Sequence, residues 1–367
     1  MAVALPLTLI AGARPNFMKI APLARALSEA GAAVRIVHTG QHYDERMSGA
    51  FFRELDIPEP DVNLGVGSGT HVAQISEVMR RLEAEFNEHT PSAVVVVGDV
   101  NSTLAAALTA VKLGLPVAHV EAGLRSGDRT MPEETNRIVT DAVSDWLFTS
   151  EPAGAENLRR EGVAEEKIHF AGNVMIDTLQ AHVASARALD APASFGLEPR
   201  RYAVLTLHRP SNVDDPERLG SIMKAIRTLA GRMPVVFPVH PRTAGRIREF
   251  GFDGGDGRLM LVEPQSYLPM LGLVDSARLV LTDSGGLQEE TTALRVPCLT
   301  LRENTERPVT VEVGSNRLVG WRTDAIVQAF ERVLDGPERT GRLPDMWDGR
   351  AAERIAAVLA AMTKARV

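Results

Sequence analysis

The 367-residue chain is 44% hydrophobic and 24% charged. Both values are ordinary for globular proteins, which excludes a disordered or fibrous chain and leaves length for about two domains of roughly 150 residues. A net charge of −7 is the reverse of the basic footprint that neutralises a phosphate backbone, so no nucleic acid partner is expected.

The opening run lacks the positive region of a secretory signal and passes into a first predicted strand at residues 7–10. Further β-branched runs follow at 34–38, 94–97, 117–120 and 146–149, separated by helical stretches such as 102–112. This is the βαβ pattern of a parallel sheet. The pattern restarts after residues 192–199, with strands predicted at 202–207, 235–239, 259–262, 279–282 and 298–301. The fold class expected is therefore α/β with two doubly wound sheets, divided near residue 172. Ile355, Val358, Leu359 and Met362 recur at helical spacing near the C-terminus and predict a terminal amphipathic helix. The single cysteine, Cys298, lies in an apolar run and suits a reducing compartment. No apolar stretch approaches the roughly 20 residues of a membrane helix, so a cytoplasmic protein with no membrane partner is expected.

In open parallel sheets ligands bind at the carboxyl ends of strands, near the point where the strand order reverses. After the first strand comes Gly12-Ala13-Arg14-Pro15-Asn16-Phe17-Met18-Lys19. Arg14 and Lys19 there can meet an anion at a helix start, although a plain βα turn with solvated cations explains them equally well. Asp99 and Glu121 each follow a buried strand. A carboxylate so placed caps a neighbour, holds a partner or does proton chemistry, which makes both acid/base candidates. Pro132-Glu133-Glu134 opens a helix whose dipole favours acids.

In the second half, His208 and His240 stand at strand ends, where a lone histidine is more often a hydrogen-bonded structural residue than a ligand. The run at 279–290 reads as strand, small-residue turn and helix. The amides of Ser284, Gly285 and Gly286 would seat a diphosphate, with Glu290 one turn on able to accept from ribose hydroxyls. The turn is neither GxGxxG nor a P-loop and so implies neither NAD nor ATP. Arg307 follows the last of these strands in Asn304-Thr305-Glu306-Arg307-Pro308. The histidines 38, 42, 119, 208 and 240 are dispersed, without metal-ligand spacing, and no metal is expected.

These segments, with Thr39-Gly40-Gln41-His42, His119-Val120-Glu121-Ala122-Gly123-Leu124-Arg125 and Pro132-Glu133-Glu134-Thr135-Asn136-Arg137, occur in order along essentially the whole chain. Together they resemble the non-hydrolysing UDP-N-acetylglucosamine 2-epimerase family. The resemblance implies a GT-B-like fold of two Rossmann-type domains facing a central cleft. Residues 1–171 would be the sugar and acid/base side, completed by a helix over 351–367, and residues 172–350 the UDP-binding side. It implies reversible conversion of UDP-GlcNAc to UDP-ManNAc by anti elimination of UDP to 2-acetamidoglucal and re-addition, with no cofactor, in a homodimer. Asp99, Glu121 and Glu133 match the family's catalytic carboxylates, with Arg137 a nearby motif cation. Arg14, Lys19, His208 and Arg307 would hold the departing diphosphate beside the Ser284-Gly285-Gly286 amides, with His240 and Glu290 as further substrate contacts. Gln41 and His42 match an allosteric segment that binds a second UDP-GlcNAc in some bacterial members, with Tyr43-Asp44-Glu45 in place of the rest. Ala13 and Asn16 stand where the family commonly has Thr and Glu, and Pro210-Ser211-Asn212 follows His208-Arg209.

Two other readings share this fold. One is a 2-epimerase of a modified UDP-sugar such as UDP-2,3-diacetamido-glucuronic acid, for which Arg129 is the cation to watch. The other is a GT-B glycosyltransferase, disfavoured by a carboxylate set larger than an acceptor base requires.

Overall fold

A computed structural model describes residues 5–12, 14–40, 55, 57–252, 257–336 and 341–364. The chain divides into two compact units, Met1–Thr178 with Asp345–Val367, and Leu179–Pro344. The expected divisions at 171/172 and 350/351 fall a few residues from these.

The sheet of the first unit contains β1 (Leu7–Ala11), β2 (Val34–His38), β3 (Val62–Asn63), β4 (Ala93–Val97), β5 (Val117–Val120), β6 (Trp146–Thr149) and β7 (Ile168–Phe170). Its order is β3-β2-β1-β4-β5-β6-β7, and every pairing is parallel. The helices are α1 (Arg14–Glu29), α2 (His71–Glu88), α3 (Asn101–Lys112), α4 (Pro132–Val143), α5 (Pro152–Arg160) and α6 (Val174–Ala188), the last running across the division. β4 shows why the centre of the sheet was legible: Ala93-Val94-Val95-Val96-Val97 is buried at every position, and β-branched side chains suit a strand covered on both faces.

The second unit repeats the architecture. Its strands are β8 (Ala203–Thr206), β9 (Val235–Pro238), β10 (Leu259–Val262), β11 (Leu279–Thr282), β12 (Cys298–Thr300) and β13 (Asn316–Leu318). They lie in the order β10-β9-β8-β11-β12-β13, again all parallel. Around them lie α7 (Ala191–Ser194), α8 (Pro210–Val213), α9 (Pro216–Ala230), α10 (Pro241–Glu249), α11 (Tyr267–Ser276), α12 (Gly285–Leu294), α13 (Pro308–Glu312) and α14 (Thr323–Leu334). The strand order reverses between β1 and β4 in one sheet and between β8 and β11 in the other, the doubly wound arrangement in which ligands bind beyond the strand ends. The edge strands β3, β7 and β13 were not foreseen. They are two or three residues long and only partly buried, so they carry no apolar run to read.

The terminal helix α15 (Ala351–Lys364) packs against α1, with Ala351, Ile355, Ala356 and Leu359 buried. Two anchors precede or meet it. Trp347 is fully buried and donates from Nε1 to Ser150 O at 2.9 Å. Asp177 accepts from the amides of Ala351 at 3.2 Å and Ala352 at 2.7 Å, satisfying two of the donors that a helix start leaves open. Among the described residues no helix is long and apolar enough to cross a membrane.

Burial pushes the Asp177 carboxyl up to about 6, against the pull of the Ala352 and Ala351 amides. An unfolded aspartate titrates near ~4, so the folded state binds the extra proton between those values. Raising the pH through that window therefore withdraws stability. Asp177→Asn removes the titration while keeping an acceptor. Urea denaturation from pH 4 to pH 7 should show the stability of wild type relative to Asp177→Asn falling as pH rises; a constant difference would contradict this account.

Candidate active site

At the switch point of the first sheet, the loops leaving β1 and β4 approach closely. A Cβ on Gly12 would stand 2.6 Å from both Cβ and Oγ of Ser102 in α3, so the position requires glycine. Asn16 in the first turn of α1 donates from Nδ2 to Val97 O at 2.9 Å, tying the helix to the end of β4. Lys19, about one turn further, forms an ion pair with Glu121, their side chains only 12% and 4% exposed. Glu121 leaves β5 with φ at +74°, a conformation that costs a side-chain-bearing residue about 1–3 kcal/mol. It is held there because the amides of Glu121 and Ala122 both donate to Phe148 O on β6 at 3.0 Å. Gly98 lies among these groups: a Cβ on it would be 3.3 Å from Lys19 Nζ and 4.0 Å from Glu121 Oε1.

Asp99 follows directly and is held from α4. Arg137 reaches its Oδ2 with Nε at 3.0 Å and Nη2 at 2.8 Å, and Asn136 Nδ2 donates to Asp99 O at 2.8 Å. Arg137 also donates to Glu134 at 2.6 Å. Glu134 collects the amides of Ser126 and Gly127 at 2.9 and 3.0 Å. Burial pushes Glu134 up, but the Ser126 and Gly127 hydrogen bonds and the Arg137 charge outweigh it and hold the carboxyl below its usual range. Glu133, at the start of α4, is half-buried and has no ion pair or hydrogen bond among the described residues. Three carboxylates thus differ in what answers their charge: Lys19 for Glu121, Arg137 for Asp99, and no described side chain for Glu133.

In the second unit Asp283 organises the switch point between β8 and β11. Its carboxylate takes His208 Nδ1 at 2.9 Å, the amides of His208 and Arg209 at 3.1 and 3.0 Å, and Asn212 Nδ2 at 3.2 Å. Burial raises Asp283, and the His208 contact, followed by the Arg209 amide and Asn212, more than reverses that. With Nδ1 engaged and the side chain 57% exposed, Nε2 is the His208 nitrogen available to a ligand. Beneath lies a buried charge network. Glu306 takes Arg302 at 2.9 Å and Arg209 at 3.3 Å, while Arg307 pairs with Glu289 at 2.7 Å. Burial would raise Glu306, but the charges of Arg302, Arg307 and Arg209 hold it well below the usual carboxylate range. Glu306 Oε1 comes so near α12 that a Cβ on Gly285 would be 2.9 Å away. The Ser284 amide donates to Thr282 Oγ1 at 2.9 Å. Glu290 is buried, and burial together with the Glu289 charge pushes it up to about 8, with a Tyr267 hydrogen bond pulling the other way.

Of the residues singled out from sequence, Asp99 and Glu121 closely follow β4 and β5, Lys19 and Arg137 reach them from α1 and α4, and Glu133 lies at the start of α4. In the second unit His208 and Ser284 follow β8 and β11 by two residues, Gly285 and Gly286 open α12, Glu290 lies further along α12, and Arg307 directly precedes α13. An ideal Cβ on Gly286 would meet Ser284 Oγ at 4.0 Å, an ordinary contact. His240 is exposed and caps α10, accepting from the Arg242 amide at 3.3 Å. Arg14 begins α1, its side chain lying outside the described ones, and Gln41 and His42 lie outside the described residues. Sequence reasoning missed Asn136, Arg209 and Asn212, whose partners lie far off in the chain and leave no local signal, and Glu306, which joins nearby Arg302 to distant Arg209. Among the described residues no group of three or more His, Cys, Asp or Glu is arranged to hold a metal.

Comparison with known proteins bears on the whole chain. A family model for UDP-N-acetylglucosamine 2-epimerase matches residues 25–360. The chain is 44% identical over 361 residues to the UDP-N-acetylglucosamine 2-epimerase of Methanocaldococcus jannaschii, covering 96% of this chain and 98% of that one. It is 42% identical over 357 residues to the UDP-2,3-diacetamido-2,3-dideoxy-D-glucuronate 2-epimerase of Pseudomonas aeruginosa, again covering 96% and 98%. The crystal structure of the M. jannaschii enzyme in complex with UDP-GlcNAc and UDP superposes with a TM-score of 0.90, covering 97% of this chain and all of that one. The fold is thus the GT-B-like α/β architecture of two Rossmann-type sheets.

Arg137 and Glu134 are both 3% exposed, and removing one partner of a buried pair strands the other charge. Arg137→Ala should therefore lower stability by about 3 kcal/mol, measured by urea denaturation at pH 7. Arg137→Lys should recover only part of that, because an ammonium cannot span Asp99 and Glu134 as a guanidinium does. A loss below about 1 kcal/mol, the scale of an exposed ion pair, would refute the pairing.

Proposed function

The chain belongs to the UDP-N-acetylglucosamine 2-epimerase family, and from that premise we propose that it interconverts UDP-GlcNAc and UDP-ManNAc. The reaction proceeds by anti elimination of UDP to 2-acetamidoglucal, followed by re-addition. The observation that carries this reading is the convergence of Lys19, Glu121 and the Gly98-Asp99 turn at the strand ends of the first sheet, with Glu133 at the start of α4, the helix whose Arg137 holds Asp99.

The chemistry sets two demands. The C2–H bond is too weak an acid for simple abstraction, so cleavage of C1–O leads or accompanies it, and the departing UDP takes the electron pair. Cations and amides must then hold the diphosphate. In the second unit His208 Nε2 and the start of α12 are the groups suited to it, above the ion pairs of Arg209 and Arg302 with Glu306 and of Arg307 with Glu289. In the first unit Lys19 and Arg137 are the described cations paired with candidate acid/base groups, Glu121 and Asp99 respectively. The second demand is inversion: a proton leaves C2 from one face and another arrives on the opposite face, which takes two acid/base groups or one that shifts relative to the glucal. Asp99, Glu121 and Glu133 supply that set. Elimination and re-addition are redox-neutral and call for no electron carrier.

Similarity to the P. aeruginosa enzyme supports a second reading, a 2-epimerase for a UDP-sugar bearing a uronate carboxylate. Arg129 is exposed and unpaired among the described residues, on the loop that leads into α4, and a free cation is what such a sugar would call for. A reducing cytoplasm suits the free, buried Cys298, and a homodimer completes the proposal.

Proton NMR of the protein with UDP-GlcNAc in D2O should show UDP-ManNAc appearing with deuterium at C2. An unchanged spectrum with UDP-GlcNAc, but turnover of the diacetamido-glucuronate sugar, would select the second reading. Accumulation of UDP and free ManNAc would mean that water reaches the glucal. Asp99→Asn, Glu121→Gln and Glu133→Gln should each lower kcat by about 10²–10⁴-fold with UDP affinity within threefold of wild type. A variant of full activity would remove its residue from the acid/base set.

Glu290 gives a pH prediction. With its carboxyl pushed up to about 8, it is neutral at pH 7 and becomes an anion beside the nucleotide above that value. Calorimetric titration with UDP should show wild-type affinity falling between pH 7 and pH 9, and Glu290→Gln holding its affinity across the range. Parallel curves for the two proteins would contradict the assignment.

A further inference from the structure

His119 is fully buried in the middle of the first sheet and makes two contacts, each to an oxygen. Its Nδ1 lies 2.6 Å from Asp141 Oδ1 and its Nε2 lies 2.8 Å from Gly98 O. Neither oxygen can donate when Asp141 is ionised, so the ring serves as donor on both sides. Gly98 immediately precedes Asp99 and is further fixed by its amide, which donates to Val120 O at 3.0 Å. Asp141, on α4, holds the other side: its Oδ2 accepts from the Gly123 amide at 3.0 Å and pairs with Arg125 Nη2 at 2.7 Å. Gly123 follows two residues after Glu121. One buried carboxylate and one imidazole therefore connect the turn that carries Asp99 to the turn that carries Glu121.

We propose that His119 and Asp141 form a positioning clamp that sets the separation and aim of Asp99 and Glu121 for proton transfer at C2. The inference rests on the epimerase reading. Both are buried and their polar side-chain atoms are engaged by the protein, so they act through the two turns as positioning residues. Three features support the assignment. Glu121 occupies a positive-φ conformation that relaxes unless the surrounding structure holds it. Proton transfer is sensitive to placement at the scale of an ångström. Burial also raises Asp141, and the His119 and Arg125 contacts overcome it and keep the carboxylate ionised.

The test uses isosteres in the full-length chain. An asparagine amide nitrogen overlays imidazole Nδ1, and a glutamine amide nitrogen overlays Nε2. His119→Asn thus keeps the Asp141 contact and loses Gly98 O, while His119→Gln does the reverse. Asp141→Asn keeps the shape of the carboxylate but puts a donor where one of its acceptor oxygens stood. For all three, kcat for epimerisation should fall at least 30-fold while the KM for UDP-GlcNAc and the affinity for UDP stay within threefold. Amide hydrogen exchange should accelerate in residues 98–101 for His119→Asn and in both 98–101 and 121–125 for Asp141→Asn, with the sheet strands unchanged. His119→Gln, which retains the bond to the Asp99 turn, should be the more active of the two His119 variants.

Folded variants with kcat within threefold of wild type would overturn the proposal. So would kcat, UDP affinity and thermal stability falling together, or failure of all three variants to fold, since His119 and Asp141 would then be determinants of the fold. A wild-type protein that epimerises no UDP-sugar would defeat the parent reading instead, and the exchange pattern of the two turns would still decide whether the clamp exists.

Discussion

A carboxylate removed from water must be met by cations, amides or a proton, because an unanswered buried charge costs several kcal/mol. That requirement governs the strand ends of both sheets. Glu121 is met by Lys19, Asp99 and Glu134 by Arg137, Asp283 by His208 and two backbone amides, and Glu306 by Arg302 and Arg209. Glu290 is the exception that satisfies the rule otherwise, by keeping its proton to about 8. These pairings explain why the loops beyond the strands, which bury few apolar groups of their own, hold defined conformations. They also explain why so many arginines from distant segments gather there.

Each unit applies the same topology to a different end. The first sheet brings acids to its switch point and answers them one at a time, so that neighbouring carboxylates sit in distinct electrostatic surroundings. Groups so differentiated can divide the giving and taking of protons between them. The second sheet gathers His208 and three arginines, these last paired with buried acids, around a glycine-rich helix start suited to a diphosphate. The doubly wound order itself has no preference between these uses; the side chains at the strand ends decide.

Much of this was readable in the amino-acid order because central parallel strands announce themselves. Residues 93–97 and 279–281 are apolar throughout, and the polar residue that follows such a run must stand toward the carboxyl edge of the sheet. The strand-end positions of Asp99, Glu121, His208 and Ser284 follow from that alone. The edge strands β3, β7 and β13 were illegible, being short and half-exposed. The partners of the charged groups were illegible for a different reason. Arg137 meets Asp99 across 38 positions of sequence and Arg209 meets Glu306 across 97, and nothing near either residue signals the other. A separation of 22 positions likewise hides the link from His119 to Asp141.

The docking of α15 on α1 has a consequence for how the protein comes into being. The first unit is built from both ends of the chain, with the second unit inserted in the middle. A ribosome therefore delivers most of the first unit early, but the helix that covers α1, and the buried Trp347 before it, emerge only after the whole second unit. Throughout synthesis the apolar face of α1 waits uncovered, a surface open to chaperones and to wrong partners. Termination just before Trp347 would accordingly injure the first unit, whose sheet lies upstream of the second unit in the chain, while leaving the sheet encoded nearest the break intact.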